Sequence, residues 1–210
     1  AMKRAGFDTT RLSIGPIHPA PHLYGYRNRC QVKTDGVKLG FVSEDSHHIA
    51  PISDCVVLNE SCRNLLKTAL QRLPNSAWQV DSENNWQFIE LDDDMQADEI
   101  HMNMKRPFKQ GNTKQNEWMQ AWLRQKLSDN LQLGKVVELF CGSGNFTGII
   151  DESNCTSIVA YESELLAIQA LIARNLSKLT THFAYHFKPS IWRNIRNNVF
   201  DTETLVLDPP

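Results

Sequence analysis

The sequence predicts an α/β protein in two parts: a small α+β region with antiparallel strands, followed by a parallel sheet with helices on its faces. Two observations carry this prediction. Residues 25–60 alternate short apolar runs with Gly and Asp, a pattern typical of hairpins. From residue 136 onward, strand-like apolar runs alternate with helical patterns, as in a parallel sheet. A chain of 210 residues is long enough for two such domains.

The first elements follow from local patterns. Asp35-Gly36 separates the apolar runs 31–34 and 37–42, and this dipeptide favours a tight hairpin turn. Leucines at helical spacing then predict a helix over residues 59–73, with Ser61 as the N-cap candidate. The first region should therefore contain a hairpin with a helix packed on it.

Apolar runs at 78–80 and 86–91 predict two more antiparallel strands, and the acidic stretch 92–99 predicts a solvated loop. A helical pattern then begins after Asn112 or Thr113, either of which is a suitable N-cap. This helix carries one apolar stripe, which we expect to pack against a sheet. Its members are Trp118, Met119, Trp122, Leu123 and Leu127.

The parallel sheet is predicted to contain strands at 136–140, 157–161, near 183–187 and at 204–207. Its connections include a helix over residues 163–176. Parallel strands need crossover connections of this length, usually helical. The order of elements is thus that of a doubly wound α/β sheet.

A glycine turn follows the first parallel strand, where residues 136–147 read VVELFCGSGNFT. Gly142 and Gly144 let the backbone turn sharply and approach a ligand without an intervening Cβ. Glu162 ends the next strand about 20 residues later, where a carboxylate is placed to accept ribose hydroxyls. Thr147 stands where a dinucleotide site usually has its third Gly, and no phosphate-cradling Lys is present. We therefore expect S-adenosylmethionine; a chance pair of glycines in an ordinary α/β turn is the alternative.

Composition narrows the class of protein. No apolar run approaches the roughly 20 residues of a membrane span, and no charged-then-apolar leader opens the chain. Five cysteines without a Cys-x-x-Cys pair indicate a reduced, cytoplasmic protein. The net charge is −2, yet residues 1–40 carry seven Lys or Arg against two Asp. This local positive charge is compatible with RNA binding, although basic side chains that merely solvate a strand face explain it equally well.

Several motifs in order resemble those of the RNA uracil-5-methyltransferases, which modify 23S ribosomal RNA or transfer RNA. Residues 138–147 are similar to the cofactor motif of that family, residues 108–112 with Asn116 to its Phe-x-Gln-x-Asn segment, and residues 207–210 to its Asp-Pro-Pro strand end. The family's central-domain pattern is matched by Tyr24–Arg29, Gly40, Phe41, Ser46, Ile49, Cys55 and Leu58. The likeness covers most of the chain.

The resemblance implies a Rossmann-like methyltransferase domain over residues 108–210, incomplete at its C-terminus, preceded by a central RNA-contacting α+β domain over residues 1–107. It implies methyl transfer from S-adenosylmethionine to C5 of a uridine in RNA, with ribosomal RNA favoured over transfer RNA. We also expect a monomer without membrane contact.

Roles for individual residues follow from the same resemblance. Gln110 would contact the cofactor, Phe140 and Asn145 would line its pocket beside Gly142 and Gly144, and Glu162 would bind the ribose. Asp208 would lie at the amino-acid or methyl end. Each polar residue also has a simpler interpretation: Glu162 as an acid at a helix N-terminus, Asp208 as a cap before a Pro turn, and Gln110 as a helix-capping loop residue.

The family's nucleophile is a Cys in a Ser-Cys-Asn-Pro stretch, which adds to C6 of uracil and activates C5. This chain has no such stretch. No catalytic residue is therefore expected among these residues; the nucleophile is expected beyond Pro210, and this chain, as a fragment, should be inactive. Cys141 is expected to fill space in the glycine turn. Cys55 matches the fourth ligand of a [4Fe–4S] cluster in some members, a role open to it only in a longer chain.

Two other functions remain open on the sequence. Asp-Pro-Pro followed by an aromatic residue would suit an amino-methyltransferase acting on adenine or guanine. A non-catalytic RNA-binding module is the second alternative. Methyl transfer to a uridine by the full-length protein separates both from the first reading.

Overall fold

The computed structural model describes residues 16–44, 48–80, 86–130, 132–184, 189–200, 202 and 204–208. These residues form two four-stranded sheets, an antiparallel one in the first half and a parallel one in the second. The α/β class expected from the sequence is therefore the observed one. None of the helices in the described ranges is long and apolar enough to cross a membrane.

The antiparallel sheet has the strand order β3-β2-β1-β4. Its strands are β1 (Arg29–Thr34), β2 (Leu39–Val42), β3 (Ile49–Pro51) and β4 (Gln87–Asp92), and helix α1 (Glu60–Gln71) packs on one face. The predicted hairpin is confirmed: the Asp35 carboxylate accepts the N–H groups of Val37 and Lys38, and Gly36 has a φ of 87°. Strand β3 had no counterpart in the sequence prediction.

Three local predictions for this half are wrong. The N-cap of α1 is Asn59, whose side chain accepts the N–H of Cys62, rather than Ser61. Residues 76–78 form a short 3-10 helix instead of leading into a strand at 78–80, because Asn75 caps that turn by accepting the N–H of Ala77. The stretch 92–99 is not simply solvated, since Asp92 is buried.

The parallel sheet has the strand order β7-β6-β5-β8. Its strands are β5 (Lys135–Leu139), β6 (Ser157–Glu162), β7 (Leu179–Phe183) and β8 (Thr204–Leu207). The predictions for β5, β6 and β8 are confirmed. β7 begins four residues before the predicted 183–187, because residues 179–183 pair with 158–162 of β6; residues 185–187 lie outside the described ranges.

Helices cover both faces of the parallel sheet. On one face lie α2 (Thr113–Ser128), α3 (Thr147–Asp151) and α4 (Leu165–Ile172), and on the other lies α5 (Pro189–Phe200). Helix α4 is shorter than the predicted 163–176. In α2, Leu123 and Leu127 are buried as predicted, but Trp118 and Trp122 remain 40% and 49% exposed, so the stripe is narrower than expected.

The segment that connects the two sheets is bonded to the first one. The backbone N–H of Asn28 donates to the carbonyl of Gly111 (3.0 Å), and its side-chain amide donates to the carbonyl of Gln110 and to Thr113 Oγ1, both at 2.9 Å. Arg29 donates to the carbonyl of Pro107 (2.9 Å). The three Asn28 bonds cross the predicted boundary at 107/108, whereas the Arg29 bond lies within residues 1–107. The two-domain division itself stays a prediction.

Candidate functional site

A cavity of about 1280 Å³ lies at the carboxyl ends of β5, β6 and β8. This is where open α/β sheets bind their ligands. One wall comes from the parallel sheet and its loops: Phe140, Cys141, Gly142, Ser143, Asn145, Glu162, Ser163, Glu164, Arg174, Trp192 and Asp208. The other wall comes from the first region, from the segment before α2 and from the first turns of α2: Asn28, Asp93, Asp94, Phe108, Lys109, Gln110, Thr113, Asn116, Met119 and Gln120.

Six of the seven residues expected to bind the cofactor line this cavity, and Gly144 is the exception. Gly142 has a φ of 55°, and a Cβ built on it would meet no atom within 4 Å, so its bare peptide borders open space. A Cβ on Gly144 would lie 2.5 Å from Leu171 Cδ1. Gly142 therefore permits approach to the backbone, whereas Gly144 permits close packing of α4 on the turn.

Glu162 joins the glycine turn to the beginning of α4. Its Oε2 accepts the N–H of Gly142 at 2.9 Å, and its Oε1 accepts the N–H of Glu164 at 2.8 Å. The carboxylate thus has the helix-terminal role, and it also lines the cavity. Oε1 also accepts the N–H and the hydroxyl of Ser163. Since each carboxylate oxygen accepts about two hydrogen bonds, Oε2 is the oxygen that retains capacity for a ligand hydroxyl.

Gln110 and Asp208 meet across the cavity although they lie far apart in the sequence. The Gln110 side chain donates to Asp208 Oδ2 at 3.4 Å. Burial raises the pKa of Asp208, and the hydrogen bond from Gln110 opposes that rise. The Asp208 side chain is therefore partly desolvated at the end of β8.

Asn145 is held by two side chains of α2. Asn116 and Asn145 exchange amide hydrogen bonds of 2.9 and 2.8 Å, and Gln120 Nε2 donates to Asn145 Oδ1 at 2.8 Å. Sequence reasoning missed Gln120. Its position four residues after Asn116 was the available signal, because residues at that spacing share one face of a helix.

Two further residues at the glycine turn were also missed. Glu138 is 2% exposed and accepts a hydrogen bond from Thr147 Oγ1 at 2.7 Å. Burial raises the pKa of Glu138 to about 8, and this hydrogen bond partly offsets the rise. Arg174 lines the cavity and donates to the carbonyl of Gly144. Glu138 thus bonds to the first residue of α3, and Arg174 bonds to the glycine turn that precedes it.

The cysteine predictions have separate outcomes. Cys141 is buried, and desolvation raises the pKa of its thiol above the ordinary range, which agrees with a space-filling role. Cys55 is partly buried against the core of the first region, and its role as a cluster ligand stays a prediction.

Asp92, Asp93 and Asp94 are a group of potential metal ligands in the described residues. The ammonium of Lys109 lies 2.5, 2.5 and 2.8 Å from their respective carboxylates. These ion pairs raise the pKa of Lys109, while its partial burial lowers it. The lysine occupies the position that a cation would take.

The chain is similar to two curated proteins, each named an uncharacterized RNA methyltransferase. It is 49% identical over 210 residues to the one from Nitrosomonas europaea, covering 100% of this chain and 53% of that protein. It is 26% identical over 207 residues to the one from Bdellovibrio bacteriovorus, covering 93% of this chain and 49% of that protein. The chain therefore spans about half the length of these relatives. No protein-family model matches it.

Among solved structures, the likenesses are weak. A DhpI-SAH complex matches with a TM-score of 0.31 and 14% identity over 42% of this chain and 52% of that one. A DhpI-SAM-HEP complex matches with a TM-score of 0.30 and 14% identity over 46% of this chain and 52% of that one.

Proposed function

We propose that this chain carries the S-adenosylmethionine site of an RNA methyltransferase that methylates C5 of a uridine, in 23S ribosomal RNA. The observation that carries the proposal is the convergence of Gly142, Glu162 and Asp208 on one cavity at the carboxyl end of the parallel sheet. The names of the two relatives support RNA methylation. The choice of uridine C5 rests on the motif resemblance.

The residues around the cavity fit this cofactor. Glu162 would accept a ribose hydroxyl at Oε2, as a carboxylate at a strand end does in nucleotide sites. The open peptide at Gly142 leaves room for the sugar against the backbone. Asp208 and Gln110 would bind the amino-acid or methyl end, and Phe140 would supply an apolar wall. When bound, S-adenosylmethionine provides a methyl group on a positively charged sulfur.

The size of the cavity suits a cofactor together with a substrate base. Its volume of about 1280 Å³ exceeds the roughly 300–1,000 Å³ typical of small-molecule sites. Enzymes that modify a base extrude it from its stack into such a pocket.

Methylation at uracil C5 also needs a thiolate nucleophile. Cys141 does not fit that role, because the residue is buried and desolvation raises the pKa of its thiol.

Product analysis tests the proposal. The full-length native protein would be incubated with unmodified RNA and methyl-labelled S-adenosylmethionine, and the RNA digested to nucleosides. We expect label in 5-methyluridine. Label in methylated adenine or guanine would establish the amino-methyltransferase alternative instead, and RNA binding without methyl transfer would establish a binding module.

A further inference from the structure

Helix α5 has one face against the sheet and one face toward solvent. Ile195 is buried in the core beside β5 and β6. On the same side, Asn194 Oδ1 accepts a hydrogen bond from the Tyr161 hydroxyl at 2.5 Å. Asn198 Oδ1 accepts a hydrogen bond from the Lys135 ammonium at 2.7 Å. These contacts fix the rotation of α5, so the residues opposite Ile195 point outward.

The outward residues form a shallow groove of about 600 Å³, which we name the α5 groove. It is lined by Arg193, Arg196, Asn197 and Phe200. Their spacing of three, four and seven residues places them on a single helix face. Phe200 is 86% exposed there. The groove therefore combines a bare aromatic ring with two guanidinium groups.

The charge of the α5 groove is of one sign. Residues 189–200 contain no Asp or Glu. Among the described residues, neither arginine has a carboxylate within ion-pair distance, whereas Arg63 and Arg124 are each paired with one. Arg presents a planar fork of donors that matches phosphate oxygens. The chain as a whole has a net charge of −2, so a polyanion needs a local positive surface such as this one.

A row of side chains on α5 leads from the groove to the cavity. Trp192 lines the cavity and is 48% exposed. Trp192, Arg196 and Phe200 follow one another at four-residue intervals, so they lie in a row that spans about 12 Å along the helix. A strand that lies along α5 would therefore end at the cavity.

We propose that the α5 groove binds the backbone of the RNA strand whose base enters the cavity, with Arg193 and Arg196 on phosphates and Phe200 stacked on a base. This proposal rests on the proposed function. Aromatic rings stack on bases of any sequence, and arginines beside them track the backbone, as in other single-strand sites. The absence of acidic residues from the helix favours this occupant over a protein partner, which would more often require charges of both signs.

Two variants and one control test the proposal. The probe is a fluorescent single-stranded oligouridylate of about 12 nucleotides, a length within the usual range of single-strand sites. Its affinity would be measured by anisotropy from about 50 to about 200 mM salt. The double variant Arg193→Gln with Arg196→Gln removes two positive charges. The control, Arg124→Gln with Lys126→Gln, removes the same charge from exposed positions on α2.

Each variant has its own expected signature. Loss of two phosphate contacts should make the slope of log K against log salt shallower by about 1.4 and weaken binding about 20-fold near 0.1 M salt. Phe200→Ala should weaken binding by at least about fivefold and leave the slope unchanged, because stacking releases no counterions. The α2 control should bind as the native chain does.

Failure of this inference can be told apart from failure of the proposed function. If the native chain binds the oligonucleotide and both α5 variants bind it equally well with the same slope, the α5 groove is not the RNA path, and a protein partner becomes its occupant. If the native chain binds S-adenosylmethionine but no RNA, the RNA substrate and the groove proposal both fail. Unchanged S-adenosylmethionine affinity in the variants shows that they are folded.

Discussion

Replacing Glu162 by Ala removes the carboxylate that joins the glycine turn to α4 and faces the cavity. In the native structure this group accepts N–H groups from Gly142, Ser163 and Glu164, and its Oε2 retains a lone pair for a ligand. We expect Glu162→Ala to weaken S-adenosylmethionine binding by at least tenfold, because a hydrogen bond from the ribose to a charged group is lost.

The magnitude follows from the bonds that the carboxylate can make. A hydrogen bond to a charged group contributes about 1.5–3 kcal/mol. A ribose offers two hydroxyls, but water takes the place of the lost carboxylate, so we count a single bond at its lower value. About 1.4 kcal/mol corresponds to a tenfold change in the dissociation constant. Glu162→Gln keeps one acceptor oxygen and a similar shape, and its affinity should fall between those of the native protein and the Ala variant.

Isothermal titration calorimetry of the native chain and each variant measures this effect. Glu164→Ala is the matched control, because Glu164 also lines the cavity and precedes α4, but its side chain makes no capping hydrogen bond. We expect the control to bind within about twofold of the native chain, a difference well below one hydrogen bond. A folded Glu162→Ala variant with native affinity would refute the role of this carboxylate. Equal losses in both variants would mean that only the overall charge matters.

Three other perturbations test the structure around the cavity. Gly144→Ala should lower the free energy of unfolding by about 1–3 kcal/mol, measured in urea, because the new methyl group would overlap Leu171. Lys109→Met should lower it by a similar amount, about 1–3 kcal/mol at neutral pH, since it leaves the three aspartates 92–94 without their partner. Glu138→Gln should flatten the pH dependence of the free energy of unfolding. The pKa of Glu138 in the folded protein is about 8 and its ordinary value is 4.5, so the native protein loses stability as the pH rises from 4.5 to 8, and the variant should not.

Each of these expectations has a contrary outcome. An unchanged urea midpoint for Gly144→Ala would mean that α4 moves away at little cost. A Lys109→Met variant that is as stable as the native protein would show that the aspartates are separated or hydrated in solution. Parallel pH profiles for the native protein and Glu138→Gln would show that Glu138 is ionised in the folded state.

Local patterns predicted much of the parallel sheet. β5, β6 and β8 are apolar runs flanked by turns or helices, and the glycine turn has its own sequence signal. The third strand was misplaced because residues 179–183 include Thr, Thr and His, which give no apolar run, whereas pairing with β6 decides the strand. The helical spacing of the apolar residues in α2 predicts that Trp118 and Trp122 are buried, although the helix buries only the narrower stripe of Leu123 and Leu127.

Contacts between distant segments account for what the sequence could not show. Gln110 and Asp208 are separated by 98 positions, and their hydrogen bond depends on the placement of the whole connecting segment. The acidic sequence of residues 92–94 predicts a solvated loop. Nothing in that sequence indicates that the ammonium of Lys109 pairs with all three carboxylates. The burial that raises the pKa of Glu138 likewise exists only after α3 packs on the sheet.

Asn28 directly precedes β1 of the first sheet, yet its amide donates to the carbonyl of Gln110 and to the hydroxyl of Thr113. A cut near residue 108 would consequently remove Asn28, Asp93 and Asp94 from the wall of the cavity. The ligand affinity should therefore be measured on a chain that contains both sheets, since residues from both line the cavity.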